Sequence, residues 1–212
     1  MDKRSPRDIS KKIQPITQAP DNSNKFKDDI VKCIEVLKAG GVILYPTETV
    51  WGIGCDATNE AAVKKVCEIK QRDEEHSMLV LVEHADRLGR HVKQIPEVAI
   101  QLIEVNDKPM TIVYPGAINL ASNVIGKDGT VGIRITSDEF CKKLISAFNK
   151  PVVSTSANIS HEPAPKNFRD IDEKIKSQVD FIVKWRQNDP TLGVSSSVIK
   201  VGLKGEVEII RP

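Results

Sequence analysis

The sequence predicts an α/β fold: one domain with a twisted, mixed parallel and antiparallel sheet flanked by helices. Three observations carry this prediction. Short β-branched runs alternate with segments of helical spacing from Phe26 to Phe148, the pattern of a sheet covered by helices. Consecutive strand-like runs follow near the end of the chain, so part of the sheet is antiparallel. No internal repeat or low-complexity tract interrupts the 212 residues, a length that suits one large domain or one domain with an appendage.

Residues 1–24 hold three prolines, several charges and little periodicity, and read as a flexible extension to a domain spanning 25–212. The first helix is expected to begin near Asn24. Phe26, Ile30, Cys33, Ile34 and Leu37 recur at helical spacing, and Gly40-Gly41 can end it. Val42 to Tyr45 reads as a strand. After the loop Pro46-Thr47-Glu48-Thr49, the run Val50 to Gly54 allows close backbone approach at two glycines. A second helix over Glu60 to Lys70 takes Asn59 as cap, with Ala62, Val63, Val66 and Ile69 on one face.

Met78 to Val82 is a strand, and Ala85 to Lys93 and Pro96 to Val105 read as helices, the latter opening on proline. Strands follow at Thr111 to Tyr114 and Thr130 to Ile135, with an irregular crossing between them. Ser137 is expected to cap a helix ending at Phe148. The run Pro151 to Ser154 reads as the central strand, followed by a short helix from Asp170 to Lys176. The last strands are expected at Asp180 to Lys184, Ser196 to Val201 and Glu206 to Ile210.

A net charge of +2 is too weak to argue for nucleic acid from whole-chain charge, and aromatics at 4% leave few stacking platforms. The four cysteines are far apart with no CxxC pair, which suits reduced thiols. Cys33, Cys67 and Cys141 fall at apolar helix positions as core filler. No secretory leader and no apolar run long enough for a membrane span is visible, so a cytoplasmic protein is expected.

Four polar clusters close regular elements. Pro46-Thr47-Glu48-Thr49 follows a strand, where open α/β sheets gather ligands, though it also reads as an ordinary turn. Lys70-Gln71-Arg72 ends a helix. A point charge beside a planar fork suits a triphosphate and a carboxylate, yet cations favour helix C-termini in any case. Ser154-Thr155-Ser156-Ala157-Asn158 follows an apolar run. Its hydroxyls and amide suit an oxygen-rich ligand or a structural turn. Ser195-Ser196-Ser197, with Arg211 beyond the last strand, completes the set. There is no GxxxxGK[ST] loop, GxSxG elbow or metal-ligand spacing among the four histidines.

Gly41 to Gly54 resembles the opening of the YrdC-type threonylcarbamoyl-AMP synthases. Lys70-x-Arg72 and Ser156-x-Asn158 resemble that family's paired K-x-R and S-x-N signature. Thr130 to Ile135 and Lys150 to Asn158 are similar to its later strands, and the resemblance runs in order over about residues 25–212 of the short form. The chain departs at Asp73 and Ser77-Met78, where the family commonly has prolines, and at Asn106 to Pro109, where it has Trp-Pro-Gly-Pro.

The resemblance implies a YrdC/RibB-like fold. It also implies a nucleotidyltransferase that joins L-threonine, bicarbonate and ATP into threonylcarbamoyl-AMP and pyrophosphate, for threonylcarbamoyladenosine in tRNA. Residue by residue, it implies Lys70, Arg72, Ser156 and Asn158 as the catalytic set. Thr47, Arg72, Ser154 and Ser196 would meet threonine; Lys70, Thr111, Ser156, Asn158 and Arg211 would meet ATP. Arg134 matches a strand arginine of open role. Magnesium is expected on the ATP phosphates, with no dedicated protein site. The resemblance leaves open a transient contact with the downstream tRNA threonylcarbamoyl transferase machinery or RNA, and either a monomer or a homodimer. An RNA-binding module of the same fold, without turnover, is the alternative.

Overall fold

The computed structural model describes residues 26–72 and 78–212. The expected extension 1–24, and the family departures at Asp73 and Ser77, lie outside those residues. Helix α1 (Lys27–Lys38) packs Cys33 and Leu37 inward and ends before Gly40 at φ +73°, where a side chain would be strained. Strands β1 (Ile43–Tyr45) and β2 (Gly52–Gly54) pair antiparallel. Helix α2 (Glu60–Lys70) starts as expected, with the Asn59 side chain accepting the Ala62 N–H at 3.1 Å.

Strand β3 (Leu79–Val82), a 3₁₀ turn at Ala85–Arg90 and helix α3 (Glu97–Val105) lead into β4 (Met110–Tyr114) and β5 (Val131–Ile135). Helix α4 (Glu139–Phe148) precedes β6 (Val152–Val153) and β7 (Thr155–Ser156). Helix α5 (Glu173–Lys176), β8 (Phe181–Ile182), β9 (Ser197–Val201) and β10 (Val207–Arg211) follow.

The mixed sheet divides into two among the described residues. One has the order β7-β2-β1-β8, the other β10-β9-β4-β5-β3-β6. Pairs β1/β8, β3/β5 and β4/β9 are parallel and the rest antiparallel. One continuous core joins them, with α1 and α4 packed together over it. All four cysteines are buried in that core.

The expected central strand is instead the seam between the sheets. Val152 pairs with Leu81 of β3 on one side and bridges Asp56, just past β2, on the other. Ser154 N–H then donates to Leu79 O at 2.8 Å, and β7 pairs with β2 through Gly52↔Ser156. The chain thus changes sheets within a few residues, and Ser154 to Ser156 sit in the notch between them. The crossing needs β2 to carry no side chain at Gly54. A Cβ there would stand 2.5 Å from Val153 O and 2.6 Å from Tyr45 Cε1, both fixed in the core. Gly54→Ala is therefore expected to destabilise the fold by about 1–3 kcal/mol, read as a lower urea midpoint at unchanged m-value. A wild-type midpoint would show that the seam is loose.

Other differences are local. Ala85 to Lys93 forms a short 3₁₀ turn rather than a longer helix, because Gly89 falls inside it and a six-residue segment gains few α-type bonds. Asp138, not Ser137, caps α4: its Oδ1 accepts the Cys141 N–H at 2.9 Å. The helix expected over Asp170 to Lys176 is split at Ile171, whose backbone is extended, and Asp172 caps α5.

Candidate active site

The notch opens into a cavity of about 260 Å³. Its walls come from Thr49 and Val50 before β2, from Arg72, from the starts of β3, β4 and β9, from Arg134 of β5, from Ser154 to Ser156, and from Arg211. Among the described lining residues there are seven hydroxyl side chains and three guanidiniums, with no carboxylate, histidine or cysteine. This composition makes an anion receptor rather than an acid–base centre.

Strand pairing explains how distant residues meet there. Parallel pairing of β4 and β9 sets Thr111 against Val198, which brings Thr111 Oγ1 to 2.9 Å from Ser196 Oγ. Antiparallel pairing returns β10 to the start of β9, where Arg211 Nε and Nη2 donate to Ser196 O at 2.9 and 2.7 Å. Arg72 follows Gln71, which is in the left-handed region at φ 49°. Its N–H closes the helix end by donating to Cys67 O at 2.9 Å, and its side chain then lines the cavity. Burial pulls the Arg72 guanidinium below its usual pKa range.

A second cavity of about 440 Å³ adjoins the first and shares Thr49, Val50 and Ser195 with it. Thr47, Glu48, Trp51, Lys166 and Arg186 line it. Glu48 and Arg134 link the two: Arg134 Nε lies 2.9 Å from Glu48 Oε1, with the Arg134 side chain buried and that of Glu48 10% exposed. The N–H does not point at that oxygen, so the contact is one of charge rather than an aligned hydrogen bond. Thr136 Oγ1 donates to Glu48 Oε2 at 2.8 Å. Together the cavities fall within the roughly 300–1,000 Å³ of small-molecule sites.

Six of the expected residues, Arg72, Thr111, Ser154, Ser156, Ser196 and Arg211, line the smaller cavity. Thr47 borders the larger one, where its Oγ1 accepts from Thr49 N–H at 3.0 Å and donates to Val50 O at 2.7 Å. Lys70 and Asn158 are in neither lining. The Lys70 ammonium donates to Ser156 O at 2.5 Å and Asn158 O at 2.7 Å, and the Asn158 amide donates to Ile159 O and Glu162 O.

Arg186 is a site residue that sequence reasoning passed over. Its Nη1 donates to Asp138 Oδ2 at 3.0 Å and to Thr47 O at 3.3 Å, tying the first polar loop to α4. Burial is the main influence on Asp138 and raises its pKa, with the Arg186 charge acting the other way. The available signal was a basic residue at the head of the turn-forming run Gln187-Asn188-Asp189-Pro190, and it is not a specific one.

The Sua5/YciO/YrdC family model, described as telomere recombination, matches residues 35–212. The chain belongs to the Sua5/YciO/YrdC family. A relative named threonylcarbamoyl-AMP synthase, from Pseudoalteromonas translucida, is 33% identical over 186 residues, covering 84% of this chain and 95% of its own. A second of the same name, from Acinetobacter baumannii, is 31% identical over 192 residues, covering 86% and 97%. The solved structure of Pyrococcus abyssi Sua5 complexed with L-threonine superposes with a TM-score of 0.74 at 29% identity. It covers 82% of this chain, which spans 51% of that longer protein. The two-sheet arrangement with the K-x-R and S-x-N segments at its seam is therefore this chain's version of a Sua5/YciO/YrdC domain. Among its described residues no helix is long and apolar enough to cross a membrane.

Proposed function

We propose that this chain is an L-threonylcarbamoyladenylate synthase, a nucleotidyltransferase making threonylcarbamoyl-AMP and pyrophosphate from L-threonine, bicarbonate and ATP. The observation that carries the reading is that the described lining residues supply three guanidiniums and seven hydroxyls, in a chain of this family. The named relatives and the threonine complex of a family member support it.

The chemistry needs little more than such a receptor. Threonine's amine and bicarbonate give N-carboxythreonine and water. The new carboxylate attacks the α-phosphorus of ATP, forming an acyl–phosphate bond as the bond to pyrophosphate breaks. The attacking carboxylate and the triphosphate are both anionic, so positioning and charge neutralisation supply the rate. In this reading Arg72 neutralises the threonine carboxylate and nearby phosphates, and Ser154 and Ser196 hold the amino acid. Thr111, Ser156 and Arg211 hold the nucleotide. Thr47 shapes the loop bordering threonine. Lys70 and Asn158 complete the paired signature from outside the cavity lining.

Magnesium fits as an ion carried by the phosphates, where it would neutralise charge on the leaving pyrophosphate. Among the described residues no group of three or more His, Cys, Asp or Glu side chains gathers to hold it, while the lining hydroxyls can bond its water ligands. The product would pass to a tRNA-modifying transferase in the cytoplasm. An RNA strand is the poorer occupant: the guanidiniums lie in a narrow cavity whose described lining includes no aromatic side chain for base stacking.

The test is pyrophosphate release from ATP by the purified chain, with threonine and bicarbonate each present or withheld. Release is expected only when both are present. Release independent of threonine, or salt-sensitive RNA binding without any release, would refute the assignment.

A further inference from the structure

We infer that Arg186 is a positioning residue for threonine: two carboxylates hold its guanidinium, which fixes the Thr47 carbonyl and so the loop bordering the amino acid. The inference rests on the synthase reading for its kinetic consequence, and on geometry alone for the brace.

Arg186 sits in the left-handed region at φ 65°, a conformation uncommon for a residue with a side chain. Such a position persists where its surroundings over-determine it. Here the backbone is fixed on both sides. Before Arg186, the Asp29 carboxylate of α1 accepts the N–H of Lys184 at 3.0 Å and that of Trp185 at 2.9 Å. The Trp185 ring also packs against Phe26, with centroids 5.3 Å apart. After it, Asp189 N–H donates to Arg186 O at 3.1 Å. Charge then aims the side chain: Nε donates to Asp189 Oδ2 and Nη1 to Asp138 Oδ2, each at 3.0 Å. Asp138 is itself held in place, because its other oxygen caps α4.

From that fixed point Nη1 also donates to Thr47 O at 3.3 Å. Thr47 is buried, and its hydroxyl is committed inside the loop, accepting from Thr49 N–H and donating to Val50 O. With its one proton so used, what Thr47 gives to threonine is the shape of the loop, and the brace sets that shape. The nucleotide residues are held by other means. Ser156 is fixed by its pairing with Gly52, and Arg211 by its two bonds to Ser196 O. Loss of the brace is therefore expected to act on threonine first. Arg186 also lines the larger cavity, so direct contact with an anionic substrate is the competing role.

The experiment compares wild type, Arg186→Gly, Arg186→Lys and Asp138→Asn by pyrophosphate-release kinetics and by amide hydrogen exchange at Thr49. Arg186→Gly removes the brace while relaxing the left-handed position, so lost function is not a product of backbone strain. It is expected to lower kcat/KM for threonine by about 10- to 100-fold, mainly through KM, the scale of a displaced positioning group. Its KM for ATP should stay within about threefold of wild type. Exchange at Thr49 should quicken. Asp138→Asn keeps the cap and removes the charge, so its threonine KM should rise as well. Combined with Arg186→Gly it should add little, since both act through one brace. Arg186→Lys should recover part of the loss, because an ammonium keeps the charge without the fork. An ATP KM raised as much as that for threonine, with Thr49 exchange unchanged, would make Arg186 a nucleotide ligand and overturn the brace. A wild-type threonine KM in folded Arg186→Gly would overturn it too. Should Arg186→Gly not fold, Arg186→Lys and Asp138→Asn decide by the same two readouts. If wild type releases no threonine-dependent pyrophosphate, the synthase reading fails, and Thr49 exchange still judges the brace.

Discussion

Arg72→Ala is expected to lower kcat/KM for threonine-dependent pyrophosphate release by about 100- to 1,000-fold, the scale of removing one preorganised charge-stabilising donor. Arg72 lines the same cavity as the expected threonine and nucleotide residues Ser154, Ser196, Thr111, Ser156 and Arg211, and its planar fork can bond two anionic oxygens at once. Its partial burial raises the strength of such a contact, since water screens it less. Arg72→Lys should recover only part of the loss, because a point charge lacks the fork. The measurement is a pyrophosphate assay alongside urea unfolding. A loss of less than about threefold in a folded variant would remove Arg72 from the reaction.

Arg134→Met is expected to cost about 3–5 kcal/mol of stability, or roughly 6–20 °C in Tm for a domain of this size. Arg134 is 3% exposed and is the cation set against the buried Glu48 carboxylate. Removing it leaves that carboxylate with the Thr136 hydroxyl and an uncompensated charge. The double variant Glu48→Gln/Arg134→Met should regain much of the stability while remaining inactive, because the pair also joins the walls of the two cavities. Thermal and urea unfolding of the three variants check this. If Arg134→Met alone costs less than about 1 kcal/mol, the pair is solvated and contributes little, as exposed pairs do.

The parts legible in the sequence are those governed by local spacing. Helix α2 and its Asn59 cap are read from an amphipathic period and a capping side chain three residues away, and both appear as expected. Strands β3, β4 and β5 are announced by β-branched runs. Errors of one or two residues, such as Ser137 for Asp138, arise because adjacent polar residues compete for one cap and only the observed bond selects between them. The polar clusters were legible as candidates, yet each one alone also read as a turn or a solvated end. Their meeting at one cavity depends on strand register, which a short sequence window does not contain.

By itself, then, the sequence determined the α/β class, the order of elements, the burial of Cys33, Cys67 and Cys141 and the membership of Lys70, Arg72, Ser156 and Asn158 in a paired signature. Tertiary structure alone decided that the sheet splits at Val152–Val153, that Glu48 pairs with Arg134, and that Arg186 braces Thr47. It also decided that Arg72 lines the cavity while Lys70 lies behind it. The physical reason is one of range. Periodicity and caps act within a turn or two of chain, where residue identity sets the energy. The direction of a long side chain follows from backbone dihedrals such as the φ of 49° at Gln71, and from acceptors 86 and 88 residues away.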